Sequence, residues 1–284
     1  MIATRVAHLP TRSVRYLEAG TGHPVILLHA FPLNAEQWLP QLTRVPPGWR
    51  MIAPDFRGFG PSEPPEAVAA GTSMESYAAD VVELMAHLDT APAVVVGLSM
   101  GGYVAFALLR QAPTRVRALV LADTKATPDN DEARAGRERL LEVVARDGPV
   151  GVSREMAPKL LGETSRRDQP DLIDAVRALT EASTSAGIAA GIHALKNRPD
   201  STPQLDSVAC PVLVVCGAED TLTPLADAEA VCSAIEGAQL TVIAQAGHLS
   251  NIENPLAFSG ALQRFLDTID VRAADSSPTA GRDA

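Results

Sequence analysis

The sequence of 284 residues has few cysteines, fewer basic than acidic residues and no long hydrophobic run. Its three cysteines, Cys210, Cys216 and Cys232, are odd in number and lie on or near predicted core elements, so we expect reduced, packed thiols. The formal net charge of -10 argues against nucleic acid as a partner, because nucleic-acid binding requires a clustered basic face. No apolar stretch reaches the roughly 20 residues of a membrane helix, and residues 1–5 lack the apolar run of a secretion signal. We therefore expect a cytoplasmic protein with no membrane partner.

The sequence also lacks the motifs that usually bind metals and dinucleotides. Neither C-x-x-C nor H-E-x-x-H occurs, so we predict no metal site. The glycines at 97–102 do not form a dinucleotide fingerprint, because Ser99 occupies the position of the second glycine. The sequence therefore predicts a protein that works without a cofactor.

One motif predicts a nucleophile. Gly97-Leu98-Ser99-Met100-Gly101 follows the apolar run at 93–96 and opens a helix-like segment. A strand that turns into a helix at G-x-S-x-G is typical of a nucleophile elbow, in which the turn exposes the serine hydroxyl. The serine of such a turn has a strained, positive φ, and the flanking glycines pack too closely for a Cβ. We predict that Ser99 is the nucleophile.

A nucleophilic serine needs a base and a carboxylate, here expected in the chain order serine, acid, histidine. His248 is the only histidine beyond residue 193, and it follows a predicted strand at 239–243. Asp220 follows another predicted strand and a turn, where a carboxylate can accept the Nδ1 hydrogen of His248. Two alternative acids remain: Asp123, after the predicted strand at 117–122, and Glu219, which we expect to point away.

An oxyanion hole requires backbone N–H donors where negative charge develops on the attacked carbonyl. We predict one donor at Met100, directly after the nucleophile, and a second at Phe31, in the loop after a predicted strand at 25–29. The Phe31 ring, Leu222 and Leu249 are predicted to contact the substrate.

Apolar runs that alternate with helical stripes predict an α/β fold: a mostly parallel central sheet with helices on both faces. A helical stripe runs from Met74 to Leu88, and another helix begins at Asn254-Pro255. The predicted strands lie at 14–18, 25–29, 50–54, 93–97, 117–122, 211–216 and 239–243.

One segment interrupts this alternation, because residues 125–205 contain short helix-like segments, such as 138–145 and 172–181, and no convincing strand. We predict a core domain formed by residues 1–124 and 206–270, with 125–205 inserted as a helical cap and 271–284 as a disordered tail. The cap is rich in arginine. We interpret its arginines as a solvated helix face, with binding of an acidic substrate as the alternative: Arg134, Arg137, Arg139, Arg154, Arg166 and Arg167.

These motifs resemble those of the α/β-hydrolases of the serine-nucleophile type. The similarity covers roughly residues 14–269 and is greatest to the branch that contains 3-oxoadipate enol-lactonases, cofactor-free haloperoxidases and small carboxylesterases. His29 is then interpreted as a residue that organises its loop. Ala30 departs from the glycine that relatives commonly carry, which predicts a narrower oxyanion loop. The blocks that carry the resemblance are residues 29–32, 55–62, 97–102 and 246–251, together with the Asp220 loop.

The sequence therefore predicts a carboxylic ester hydrolase that cleaves small or medium-sized esters or lactones through an acyl-enzyme. Two alternatives use the same triad: a perhydrolase or haloperoxidase, in which peroxide attacks the acyl-enzyme, and a hydrolase of carbon–carbon bonds. A third is a small-molecule receptor that keeps a slow triad. The sequence patterns assign no oligomeric state and no particular acyl chain.

Overall fold

The computed structural model describes residues 1–10, 12–61 and 71–270. These residues fold around a single eight-stranded sheet. The strands are β1 (Ala3–His8), β2 (Ser13–Gly20), β3 (His23–Leu28), β4 (Trp49–Pro54), β5 (Ala93–Leu98), β6 (Val116–Ala122), β7 (Val212–Gly217) and β8 (Gln239–Ile243). Their order across the sheet is β1-β2-β4-β3-β5-β6-β7-β8. The six neighbouring strands β4, β3, β5, β6, β7 and β8 pair in parallel. At one edge β1 pairs antiparallel with β2, and β2 pairs antiparallel with β4.

Strand β1 was absent from the sequence prediction. Only Ala7 of its residues is fully buried, and Val6 is about half exposed, so the segment has no apolar run or clear alternation. Its strand conformation comes instead from backbone pairing with β2, in register from Ala3 opposite Glu18 to His8 opposite Ser13. An edge strand of this kind leaves little hydrophobic signal in the sequence.

Helices cover both faces of the sheet. Ile26 and Leu28 of β3 belong to one buried apolar cluster, and Val25 and Leu27 belong to a second cluster on the other face. This burial on both faces explains why the central strands are continuous apolar runs. The helices are α1 (Leu39–Leu42), α2 (Met74–His87), α3 (Met100–Gln111), α4 (Asp131–Leu160), α5 (Glu163–Asp168), α6 (Asp171–Glu181), α7 (Ser185–Lys196), α8 (Leu225–Ala234), α9 (Ser250–Glu253) and α10 (Pro255–Leu266).

The predicted fold class, a mostly parallel sheet between two helical layers, is confirmed. Short 3₁₀ helices complete the described structure at Ala35–Trp38, Pro113–Arg115 and Thr202–Ser207. No helix in the described residues is both long and apolar enough to cross a lipid bilayer.

Four helices, α4 to α7, lie between β6 and β7 in the chain, in the segment predicted as a cap. Helix α4 is much longer than the predicted segment at 138–145, and it is broken at Gly148, where φ is 62° and ψ is -156°. Helices α6 and α7 both pack against α4. The division into core and cap stays a prediction. Ser62 of one motif block and the predicted tail at 271–284 lie outside the described residues.

Two helical glycines in this segment have opposite surroundings. A Cβ at Gly187 of α7 would lie 1.8 Å from the carbonyl oxygen of Gly58, whereas a Cβ at Gly136 of α4 would have nothing nearer than 3.7 Å. We expect Gly187→Ala to lower the free energy of unfolding by about 1–3 kcal/mol, because the helix must move away from its neighbour. Gly136→Ala should raise it by about 0.4–1 kcal/mol, because alanine restricts the unfolded chain.

Urea-induced unfolding of both variants, followed by circular dichroism, checks this pair. Equal midpoints for Gly187→Ala and Gly136→Ala would contradict the close approach of α7 to the loop at Gly58.

Candidate active site

Ser99 lies at the sharp turn between β5 and α3, with φ of 54° and ψ of -112°. Its backbone is held on both sides: the N–H donates to the carbonyl oxygen of Ala122 at 2.9 Å, and the Thr124 hydroxyl donates to the Ser99 carbonyl oxygen at 2.9 Å. A positive φ is unfavourable for a serine, so these contacts stabilise a conformation that the residue would otherwise avoid.

The glycines that flank the turn leave no room for side chains. A Cβ at Gly97 would lie 2.3 Å from the carbonyl oxygen of Gly101, and a Cβ at Gly101 would lie 2.2 Å from that of Leu28. The start of α3 therefore packs directly against β5 and β3. This close packing is the physical reason for the glycine pattern of the motif.

His248 lies in the loop after β8 and connects the serine to a carboxylate. Its Nε2 lies 2.7 Å from Ser99 Oγ, and its Nδ1 lies 2.8 Å from Asp220 Oδ2. Because Asp220 accepts a hydrogen bond, Nδ1 carries the hydrogen and Nε2 is left to accept the Ser99 hydroxyl hydrogen. The structure thus brings together three residues that lie far apart in the sequence.

Asp220 is held by four hydrogen bonds. Oδ1 accepts the N–H groups of Leu222 at 2.8 Å and Thr223 at 3.0 Å. Oδ2 accepts the Thr223 hydroxyl at 2.6 Å as well as the imidazole of His248. The Leu222 and Thr223 donors hold the carboxylate in the orientation in which Oδ2 faces the histidine.

The ion pair shifts the pKa values of both partners. Burial opposes protonation of His248, but the negative charge and hydrogen bond of Asp220 outweigh it, so the pKa of His248 is raised. Burial likewise opposes ionisation of Asp220, yet His248 and the Thr223 hydrogen bonds outweigh it and hold the pKa of Asp220 below its usual range. This arrangement favours a proton on the imidazole.

Asp123, the alternative acid, lies beside this pair but does not contact the imidazole through a hydrogen bond in the described structure. Its carboxyl accepts the Gly217 N–H at 2.7 Å and the Ser250 hydroxyl at 2.5 Å. Burial and the neighbouring charge of Asp220 raise the pKa of Asp123 to about 8. At neutral pH Asp123 is therefore mostly a neutral acid, in contrast to Asp220.

Asp123, Cys216 and Asp220 are buried together, and their potential ligand atoms lie within 4.8 Å of one another. Such a group could hold a cation only if its atoms were available. The oxygens of both carboxyl groups already accept hydrogen bonds from the protein. Burial raises the pKa of the Cys216 thiol to about 12, whereas a metal ligand must be a thiolate. The donor set does not fit a metal ion.

Two carboxylates attach the segment between α4 and α5 to the loops of the acid and the histidine. Glu219 accepts the N–H of Thr164 at 2.8 Å and its hydroxyl at 2.5 Å, so it points away from the imidazole as predicted. Glu253 accepts the N–H of Gly162 at 2.7 Å and that of Leu249 at 3.0 Å. No local sequence pattern marks either attachment, because each joins residues distant in the chain.

The N–H groups of Phe31 and Met100 are the predicted oxyanion donors. Met100 is the first residue of α3, where a backbone N–H has no acceptor within the helix. In the described part of the chain neither N–H donates to another group. Neither N–H is therefore taken up by an acceptor of the protein, as an oxyanion donor requires.

His29 organises the loop that carries Phe31. Its Nε2 accepts the N–H of Phe56 at 3.1 Å, so Nδ1 carries the hydrogen and donates to the Ala30 carbonyl oxygen at 2.9 Å. Complete burial lowers the pKa of His29 to about 4, which keeps it neutral. The Ala30 N–H donates to Gln37, and the Ala30 methyl group is buried in the apolar core.

A cavity of about 360 Å³ opens above the serine. Ser99 and His248 line it, together with Phe31 and Leu222, which are two of the three residues predicted to contact the substrate. Leu249 does not line it. Its side chain is fully buried in the apolar cluster shared with α10, so the predicted substrate contact is not formed.

Three further residues of the site were missed by sequence reasoning. Thr223 supports Asp220 and lines the cavity, and its spacing of three residues from an aspartate is a recognisable local pattern. Lys125 and Tyr103 also line the cavity. Tyr103 lies one helical turn after Ser99, but no sequence pattern marks its side chain as part of the site. Lys125 lies near the serine because β6, which it follows, pairs with β5.

Comparison with known proteins identifies the family of this fold. A family model described as alpha/beta hydrolase fold matches residues 23–255. An esterase from Thermogutta terrifontis superposes with a TM-score of 0.86 at 36% identity, covering 95% of this chain and 99% of that one. The enol-lactonase from Burkholderia xenovorans LB400 gives 0.84 at 25% identity, covering 93% and 100%. The 3-oxoadipate enol-lactonase 2 of Acinetobacter baylyi is 28% identical over 242 residues, 85% of this chain and 88% of that protein.

The family match spans most of the chain and includes the serine, the aspartate and the histidine of the site. The order of the sheet and the turn at Ser99 agree with it. The chain therefore belongs to the alpha/beta hydrolase fold family.

Proposed function

We propose that this protein is a serine hydrolase that cleaves carboxylic esters or lactones through an acyl-enzyme. The observation that carries the proposal is the continuous series of hydrogen bonds from Ser99 through His248 to Asp220, at the cavity described above. The relatives named as an esterase and as enol-lactonases support the substrate class.

In the first half-reaction, Ser99 Oγ attacks the substrate carbonyl carbon while His248 Nε2 takes the hydroxyl proton. The carbonyl oxygen becomes negative, and the Phe31 and Met100 N–H groups stabilise it. His248 then gives its proton to the leaving alkoxide as the carbon–oxygen bond breaks. The acyl group remains on Ser99.

In the second half-reaction, His248 takes a proton from water, which attacks the acyl carbon. The bond from this carbon to Ser99 Oγ then breaks, His248 returns the proton to Oγ, and the carboxylic acid is released. Asp220 keeps the Nδ1 hydrogen of His248 in place and stabilises the imidazolium that forms twice in each cycle. The cavity volume suits small and medium-sized substrates. Leu140 and Met156 of α4 line the cavity too, which supports a covering role for this segment.

Replacing the nucleophile tests the assignment directly. Ser99→Ala should lower kcat for 4-nitrophenyl esters and for lactones by more than about 10⁴-fold, because no acyl-enzyme can form. Ser207→Ala, which changes an exposed serine far along the chain, should stay within twofold of wild type. Rapid quenching followed by mass spectrometry should find the acyl group on Ser99. Near-normal ester hydrolysis by the folded Ser99→Ala variant would disprove the proposal.

The two buried aspartates should differ sharply. Asp220→Asn should lower kcat by about 10³–10⁴-fold, because an amide cannot hold the imidazole in the required tautomer. Asp123→Asn should stay within about tenfold of wild type, because Asp123 is mostly neutral at neutral pH and an amide replaces a neutral acid. Steady-state kinetics of both variants make the comparison. A greater loss in Asp123→Asn would assign the acid to Asp123.

The activity should rise with pH as His248 loses its proton, because only neutral imidazole accepts the serine proton. Since Asp220 raises the pKa of His248, the midpoint of kcat/KM should lie above the ordinary histidine value of about 6.5. The residual activity of Asp220→Asn should show a lower midpoint. A wild-type midpoint below 6.5 would contradict this assignment.

A further inference from the structure

The cavity above Ser99 is rich in positive charge, although the protein as a whole has a net charge of -10. Besides His248, four basic and two acidic side chains line it. The basic side chains thus outnumber the acidic ones at the one place where the proposed substrate binds. The six charged residues are Lys125, Asp129, Arg137, Arg139, Glu155 and Lys159.

Both acidic residues are already neutralised by the protein. Asp129 accepts hydrogen bonds from Arg137 at 3.0 Å and from Arg198 at 2.6 Å. Burial opposes the ionisation of Asp129, but the two arginines outweigh it and lower its pKa. Glu155 lies 3.1 Å from the ammonium of Lys159. Neither acid is left to balance another cation.

Lys125 has no such partner. Within the described residues its ammonium makes no hydrogen bond or ion pair, and the same holds for the guanidinium of the exposed Arg139. Lys125 is half-buried and follows Thr124, whose hydroxyl binds the backbone of Ser99. Its flexible side chain therefore begins beside the nucleophile and lines the cavity.

Tyr103 supplies a neutral donor in the same cavity. The guanidinium of Arg198 lies 4.3 Å from the centre of its ring, which holds the ring in place. Within the described residues the hydroxyl has no hydrogen-bond partner. Burial raises the pKa of Tyr103, so the hydroxyl stays protonated and can donate.

We propose that the substrate is an ester or lactone with a carboxylate distant from the reacting carbonyl, and that Lys125 binds this carboxylate with help from the Tyr103 hydroxyl. The inference rests on the proposed function, because it names the substrate class of the same site. An anion there supplies the partner that the half-buried ammonium lacks. Arg139 adds to the positive potential that attracts such a substrate.

Two esters matched in carbon number test the inference: 4-nitrophenyl hydrogen adipate, whose acyl chain ends in a carboxylate, and neutral 4-nitrophenyl hexanoate. Wild type should favour the adipate ester in kcat/KM by roughly tenfold, as expected for a hydrogen bond to a charged group. Lys125→Met should remove this preference, mainly through a higher KM for the adipate ester. Added salt should weaken the wild-type preference.

The double variant Glu155→Gln/Lys159→Met is the matched control, because it removes a lysine from the same cavity together with the carboxylate that already neutralises it. It should keep the wild-type preference within twofold. Equal kcat/KM of the wild type for the two esters would overturn the inference and leave the proposed function standing. An equal loss on both esters in Lys125→Met would also overturn it, because a general structural role would explain that result.

A binding measurement separates the two proposals if neither ester is hydrolysed. Adipate should raise the Tm of wild type more than hexanoate does, and Lys125→Met should lose this difference. Without hydrolysis the proposed function fails. A selective shift by adipate would still support Lys125 as an anion site, and equal shifts would overturn the inference as well.

Discussion

The strained backbone of Ser99 is the constraint on which the rest of the site depends. Its φ of 54° is maintained because Gly97 and Gly101 let the start of α3 pack against β5 and β3. Two hydrogen bonds hold the turn on the other side. The Thr124 hydroxyl donates to the Ser99 carbonyl oxygen, and the Ser99 N–H donates to the last residue of β6. This one conformation aims the hydroxyl at His248 and leaves the Met100 N–H without a helical acceptor. Relaxing it would displace both groups together.

The neighbouring carboxyl groups of Asp220 and Asp123 have pKa values shifted in opposite directions, because their hydrogen-bond donors differ. Asp220 receives four hydrogen bonds and the charge of the imidazole, so it remains ionised in spite of burial. Asp123, only a few ångströms away, receives two and lies next to that negative charge, so its pKa rises to about 8. Two like charges at this distance would repel each other strongly in a buried environment. The fold therefore favours the ionised form of Asp220 and disfavours that of Asp123.

The same loops that present the acid and the histidine also hold the helices above them. Glu219 and Glu253 bind backbone N–H groups at 162–164, where α4 passes into α5. Glu219 is next to Asp220 in the chain, and Glu253 binds the backbone next to His248. The walls of the cavity are thus attached to the catalytic loops themselves, which couples the shape of the cavity to the geometry of the triad.

Much of this protein follows from local sequence patterns. The seven predicted strands and the turn at Ser99 each depend on residues close together in the chain, so the sequence determined them. Edge strand β1 and the burial of Leu249 left no such pattern. Only the tertiary structure placed Asp220 rather than Asp123 against the imidazole and left Lys125 unpaired in the cavity. These features depend on distances between remote segments, which the packing of side chains decides.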